Sequence, residues 1–153
     1  MEVVILIGLQ AAGKSTFYQT HFANTHEYVS KDQLRNNRQP ARRQQQLIEA
    51  ALQAGRSVVV DNTNPTREER EPLIRLGHQY GAEIIGYYFE PQVKQSLERN
   101  RQRMGKAQVP DIAIFSTLKK LTRPAYAEGF DKLYLVRTGK ETIFEIVDWE
   151  EPL

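Results

Sequence analysis

Apolar positions along the chain fall into short runs separated by longer stretches in which they recur every three or four residues. Val3-Val4-Ile5-Leu6-Ile7 and Ser57-Val58-Val59-Val60-Asp61 are nearly unbroken, as expected of parallel strands buried on both faces. Glu27–Ser30, Glu83–Phe89 and Asp131–Val136 read as three more strands, and Ile143–Trp149 suits an extra edge strand. The first helix is expected to begin near Gly13 and fade by Asn24. Lys31–Ala54 is helical in pattern with a break near Pro40; its later part puts Leu47, Ile48, Ala51 and Leu52 on one face, and Gly55 stops it. Pro65–Tyr80 reads as a helix with Leu73, Ile74 and Leu76 inward, many charges outward, and Pro72 weakening or bending its early part. Gln92–Met104 and Asp111–Leu121 are two further helices, joined by a loop over Gly105–Pro110. Strands alternating with helices predict an α/β fold, a parallel sheet of about five strands sandwiched between helices. Nothing in the 153 residues looks like a linker or a repeat, so residues 1–153 read as one domain.

The chain contains no cysteine. Disulfides, thiolate metal sites and a cysteine nucleophile are therefore excluded, and a reducing, cytoplasmic setting fits. The opening apolar run is too short for a signal peptide, and no stretch is long enough to span a membrane. A net charge of +2 decides little, but its distribution is uneven. Arg35, Arg38, Arg42 and Arg43 form one basic block, and residues from Lys94 to Arg123 form a second. Carboxylates gather near the end, in Glu141, Glu145, Asp148, Glu150 and Glu151. Basic blocks on a balanced protein suit an anionic ligand larger than a nucleotide, or two solvated helix faces.

The first strand runs into Gly8-Leu9-Gln10-Ala11-Ala12-Gly13-Lys14-Ser15-Thr16. This is the P-loop spacing G-x-x-x-x-G-K-[ST], placed between a strand and a helix as the motif requires. Gly8 and Gly13 let the backbone curl, Ala11 and Ala12 lie in the loop, and the helix N-terminus adds its dipole. Lys14 is expected to reach the β- and γ-phosphates of ATP, and Ser15 to hold Mg²⁺.

Asp61-Asn62-Thr63-Asn64-Pro65 closes the third strand. A carboxylate there matches the Walker B pattern, in which Asp61 holds Mg²⁺ directly or through water. Alternatively Asp61 orients the acceptor, with Asn62 and Asn64 as further substrate-binding residues; the plainer reading, compatible with it, is that Asn62 and Asn64 shape a turn with Asn64 or Thr63 capping the next helix. Ser30-Lys31-Asp32-Gln33-Leu34-Arg35 follows the second strand on the same sheet edge as the P-loop. Asp32 is placed to accept a hydroxyl proton, and Arg35, one turn on, to hold an anionic part of the acceptor. The plainer alternative is that Ser30 caps a helix and Asp32 offsets its dipole. Arg99–Lys106 reads as a lid over approximately residues 99–109, or as an exposed basic helix. His21, His26 and His78 lie far apart and suggest no metal site. Tyr87, Tyr88, Phe89 and Trp149 fall in strand-like stretches and read as core.

Five stretches together resemble the kinase domain of polynucleotide 5′-hydroxyl kinases, within the P-loop kinases. They are the P-loop; Val29–Leu34; Val60–Pro65; Asn100-Arg101-Gln102-Arg103-Met104; and Val109-Pro110 followed by Pro124–Phe130. The resemblance covers nearly the whole chain in family order. It implies a nucleoside-kinase-like P-loop NTPase fold and transfer of the ATP γ-phosphate to a 5′-hydroxyl end of DNA or RNA. It further implies Asp32 as general base, Arg35 on the acceptor's phosphate, and Arg101 or Arg103 reaching the ATP phosphates. Arg103 aligns better by its distance to Val109-Pro110. Many such kinases carry an additional phosphatase or ligase domain, whereas this sequence has the kinase alone. The same motifs suit two rivals: a kinase of a nucleoside, sugar or other small alcohol, and a regulatory module that binds ATP and hydrolyses it slowly.

Overall fold

The computed structural model describes residues 1–139 and 143–151. Six strands form one sheet in the order β2-β3-β1-β4-β5-β6. They are β1 (Glu2–Ile7), β2 (Glu27–Val29), β3 (Val58–Asp61), β4 (Glu83–Phe89), β5 (Lys132–Thr138) and β6 (Phe144–Asp148). The first five are mutually parallel, and β6 pairs antiparallel with β5. The edge strand suggested by Ile143–Trp149 is thus present and makes the sheet one strand wider than the parallel set.

Five α-helices connect the strands: α1 (Lys14–His21), α2 (Pro40–Gln53), α3 (Arg67–Gln79), α4 (Val93–Gln102) and α5 (Asp111–Lys120). Strand alternation divides the core into two layers. Val3, Ile5, Val58 and Val60 face Ile48 and Leu52 of α2 and Leu73 and Ile74 of α3. Val4, Leu6 and Val59 face Phe17 and Tyr18 of α1, together with Phe89 and Val136. Both faces of β1 are buried, which is why its sequence is apolar without alternation.

The break expected near Pro40 is present. Pro40 begins α2, where its missing N–H costs nothing and its fixed φ suits the first turn. Before it, Lys31–Leu34 forms only a 3₁₀ turn. Pro72 lies inside α3, and the helix continues through it. Burial of Leu73, Ile74 and Leu76 offsets the lost backbone bond. The start of α3 is also later than Pro65: Thr66 is the cap, its hydroxyl accepting from the Glu69 N–H at 3.1 Å.

The register sets the site. Leu6 pairs with Asp61, and Val29 with Val60. The carboxyl ends of β1, β2 and β3 therefore end level, and the segments that follow them meet at one edge of the sheet. Open α/β sheets bind ligands there.

Candidate active site

The loop between β1 and α1 is shaped by space and torsion at different residues. A side chain on Gly8 would stand 2.9 Å from Phe89 Cβ, so Gly8 is required by close approach. Gly13 has φ of 93° and Ala11 of 57°, so the left-handed turns fall on these two. Ala11 is buried, and the Ala12 carbonyl accepts from Thr138 Oγ1 at 3.5 Å. Thr16 is exposed on α1.

Lys14 is buried, with Nζ donating to the carbonyls of Gly8 at 2.7 Å and Leu9 at 2.8 Å. Burial draws its pKa down to about 8; the Asp61 and Asp32 carboxylates pull upward, and the Arg103 charge pushes it lower. Ser15 Oγ donates to Asp61 Oδ2 at 2.8 Å. The Tyr28 hydroxyl donates to the same oxygen at 2.6 Å, and burial, followed by the Asp61 charge, pushes Tyr28 up to about 12. Tyr28 is a site residue that sequence reading passed over; its position at the end of β2, level with the P-loop, was the available signal.

Asn62 and Asn64 are engaged in scaffolding. Asn62 donates to Gln44 Oε1 at 2.6 Å and accepts from the Lys31 N–H at 2.9 Å, which fixes the Lys31–Leu34 turn to the end of β3. Asn64 is buried at φ of 44° and donates to the Leu6 carbonyl at 2.8 Å. Behind them lies Arg70, fully buried. It donates to both carboxylate oxygens of Glu128, at 2.8 and 3.0 Å, and to the carbonyls of Asn64 and Thr122, each at 3.0 Å. One guanidinium thus clamps the Asp61–Pro65 loop to the segment after α5. Sequence reading placed the charges of α3 outward, yet Arg70 shares the inward face of Leu73, Ile74 and Gly77 at helical spacing.

Asp32 is exposed and stands 3.5 Å from Arg35. Ser30 caps the turn, its hydroxyl accepting from the Asp32 N–H at 3.2 Å. The capping geometry and the cavity position therefore coexist. Arg35 donates to the Lys106 carbonyl, in the segment that follows α4, at 2.9 Å. Asn100 anchors that segment from α4, donating to the Val109 carbonyl at 2.6 Å and accepting from its N–H at 3.0 Å.

These residues surround a cavity of about 330 Å³, lined by Lys14, Ser15 and Asp61, by Asp32 and Arg35, and by Arg103 from the segment after α4. Asn62 and Asn64 also line it. Arg101 is not brought in; its guanidinium faces Asp111 at 3.9 Å. Arg99 lies against the P-loop, with one guanidinium nitrogen 3.2 Å from where a side chain on Gly13 would begin. That nitrogen is buried without a hydrogen-bond partner among the described residues.

The hydroxyl of Ser15 and the carboxylate of Asp61 are hard oxygen donors in contact, which fits Mg²⁺ held by one carboxylate with water and phosphate as further ligands. Among the described residues no group of three or more His, Cys, Asp or Glu could hold a metal alone.

The strand order and the loop wrapped around Lys14 define the fold of the P-loop kinases. The chain belongs to the family described as AAA domain, whose model matches residues 3–124. The bifunctional polynucleotide phosphatase/kinase of Schizosaccharomyces pombe is 29% identical over 136 residues, covering 84% of this chain and 32% of that protein. The chain therefore spans about a third of that relative's length. Among solved structures, a fungal RNA kinase superposes with a TM-score of 0.70 at 15% identity, covering 93% of this chain and 40% of that one. A gluconokinase from Sinorhizobium meliloti 1021 superposes with a TM-score of 0.62 at 18% identity, covering 89% and 82%. Among the described residues no helix is long and apolar enough to cross a membrane.

Proposed function

We propose that the protein is an ATP- and Mg²⁺-dependent kinase acting on the 5′-hydroxyl of DNA or RNA, with the lid near residues 99–109. The observation that carries this reading is a single cavity lined both by Lys14, Ser15 and Asp61 and by Asp32 and Arg35. The first group suits a nucleoside triphosphate, and the second suits an alcohol next to a phosphate. The S. pombe relative named as a polynucleotide phosphatase/kinase supports the choice of acceptor.

In this reading Asp32 accepts the proton of the acceptor hydroxyl as its oxygen bonds to the γ-phosphorus. The bond from that phosphorus to the bridging oxygen breaks, and ADP leaves. Lys14 and Arg103 supply positive charge to the transferring group, with little covalent work left to the protein. Ser15 and Asp61 would hold Mg²⁺, which would supply neutralising charge to the phosphate oxygens. Arg35 holds the phosphate on the 3′ side of the acceptor's first nucleotide.

A small alcohol is the competing acceptor, because a cavity of about 330 Å³ is also the size of a small-molecule site. Incubation with γ-labelled ATP, Mg²⁺ and a panel of 5′-hydroxyl oligonucleotides decides between them. Label on the 5′ end, lost in Asp32→Ala, is expected. No label on any oligonucleotide, with ATP still bound, would move the acceptor to nucleosides and sugars.

A further inference from the structure

We infer that the arginine-rich arm leading from Arg35 into α2 is a track for the acceptor strand beyond its first nucleotide, with Arg38 and Arg42 holding successive phosphates. This rests on the polynucleotide reading above and gives it a length requirement.

From Gln33 to Ile48 the chain carries Arg35, Arg38, Arg42 and Arg43 and no carboxylate. All four arginines are exposed. Elsewhere on the surface several arginines are matched, Arg56 with Glu27, Arg75 with Glu71 and Arg137 with Glu90, while Arg67 and Arg123 donate to the carbonyls of Ala127 and Glu150. Within the arm, Arg35 meets Asp32 and the Lys106 carbonyl, and Arg43 meets Gln46. Among the described residues Arg38 and Arg42 take part in no ion pair. Their charge is available to a partner that brings its own anions.

Position identifies that partner. The arm starts inside the cavity, where Arg35 lies beside Asp32. The Asn37 N–H bonds to the Leu34 carbonyl at 2.9 Å, so the chain turns just past Arg35. A backbone spans at most about 3.5 Å per residue, which keeps Arg38 within roughly 11 Å of Arg35, and Arg42 within roughly 14 Å of Arg38, at their Cα atoms. Both therefore lie within reach of a strand whose first phosphate is held at Arg35. An acceptor of one nucleotide ends at Arg35. A small uncharged alcohol engages none of the arm. Guanidinium forks suit phosphate oxygens better than point charges do.

The test is the double variant Arg38→Ala/Arg42→Ala, both sites being exposed and outside the catalytic cavity. Two acceptors are compared, a nucleoside 3′-monophosphate and a single-stranded 5′-hydroxyl oligonucleotide of about ten residues. With the oligonucleotide, KM is expected to rise roughly tenfold, and the slope of log kcat/KM against log salt to lessen by about 1.4, for two lost contacts on a single strand. Its kcat, and both constants for the mononucleotide, are expected to stay within about twofold, because phosphate contacts on the track position the strand without touching the reacting atoms. An unchanged oligonucleotide KM and salt slope would overturn the track and leave the arm to another partner, such as an acidic protein segment. Should the wild type phosphorylate neither acceptor, the polynucleotide reading fails separately. Fluorescence anisotropy of the labelled oligonucleotide then decides the track: equal affinity of wild type and double variant overturns it.

Discussion

Ser15 and Asp61, 46 positions apart in the chain, meet at 2.8 Å because β1 and β3 are neighbours in the sheet and Leu6 is in register with Asp61. The hydroxyl sits in the first turn of α1 and the carboxylate at the last residue of β3. Asp61→Asn keeps the shape and removes the charge. The expected result is at least about a tenfold rise in the Mg²⁺ concentration needed for half-maximal activity, since hard cations favour charged oxygen ligands. Binding of ATP in the presence of EDTA is expected to be spared. A Mg²⁺ titration identical to wild type would remove Asp61 from the metal site.

Asp32 is exposed and held by no buried partner, so its replacement leaves the fold intact. Asp32→Ala is expected to abolish transfer while ATP affinity, read by calorimetry, stays near the wild-type value. Retention of more than about a tenth of the wild-type rate would mean that another group takes the proton, general-base catalysis being worth about 10²-fold or more.

Arg103 and Arg101 are separated by one residue, Gln102, and by the end of a helix. α4 stops at Gln102, and Arg103 has extended backbone, φ −75° and ψ 148°, which frees it to turn inward. Arg103→Ala is expected to lower kcat by roughly 10²-fold or more, by analogy with charge-neutralising arginines, and Arg101→Ala to have little effect. An unchanged kcat in Arg103→Ala would shift attention to Arg99, whose guanidinium already lies at Gly13.

Lys14 links pH to nucleotide binding. Its folded-state pKa of about 8 lies below the ordinary 10.5. Between those values the unfolded chain binds more protons than the folded one, so this group makes stability rise with pH across that window. A triphosphate favours the ammonium form. ATP binding without Mg²⁺ is therefore expected to take up protons through Lys14, more at pH 8.5 than at pH 7.5, measured by calorimetry in buffers of different ionisation enthalpy. The uptake should vanish in Lys14→Met. Uptake that does not grow between the two pH values would contradict the assignment.

Arg70 and Glu128 are buried together, so removing one leaves the other's charge without its partner. Arg70→Ala is expected to cost about 3–5 kcal/mol in urea unfolding. Arg70→Met/Glu128→Gln together is expected to cost less than the single change. Equal losses would show that the carbonyls of Asn64 and Thr122 matter more than the ion pair.

The strands and the P-loop were legible because both are local. A run such as Val58–Val60 has one comfortable place, between two layers, and β4 runs from Glu83 to Phe89 as its pattern predicts. The grouping of Lys14, Asp32 and Asp61 followed from counting which segments leave the same sheet edge. Other features depended on events far away in sequence. Whether Arg101 or Arg103 enters the cavity turns on the residue at which α4 ends, and boundaries are the least local property of a helix. The burial of Arg70 depends on Glu128, 58 positions on. Asn62 and Asn64 were read correctly as turn formers, but the helix cap fell to Thr66, because the loop extends until Asn64 has closed onto β1.

Phe144, on the last strand, packs back against the first loop: its ring lies 3.1 Å from where a side chain on Gly13 would begin, and it meets Phe17 edge-on at 5.2 Å. Closing the loop around Lys14 therefore depends on the antiparallel strand as well as on the parallel set that carries it.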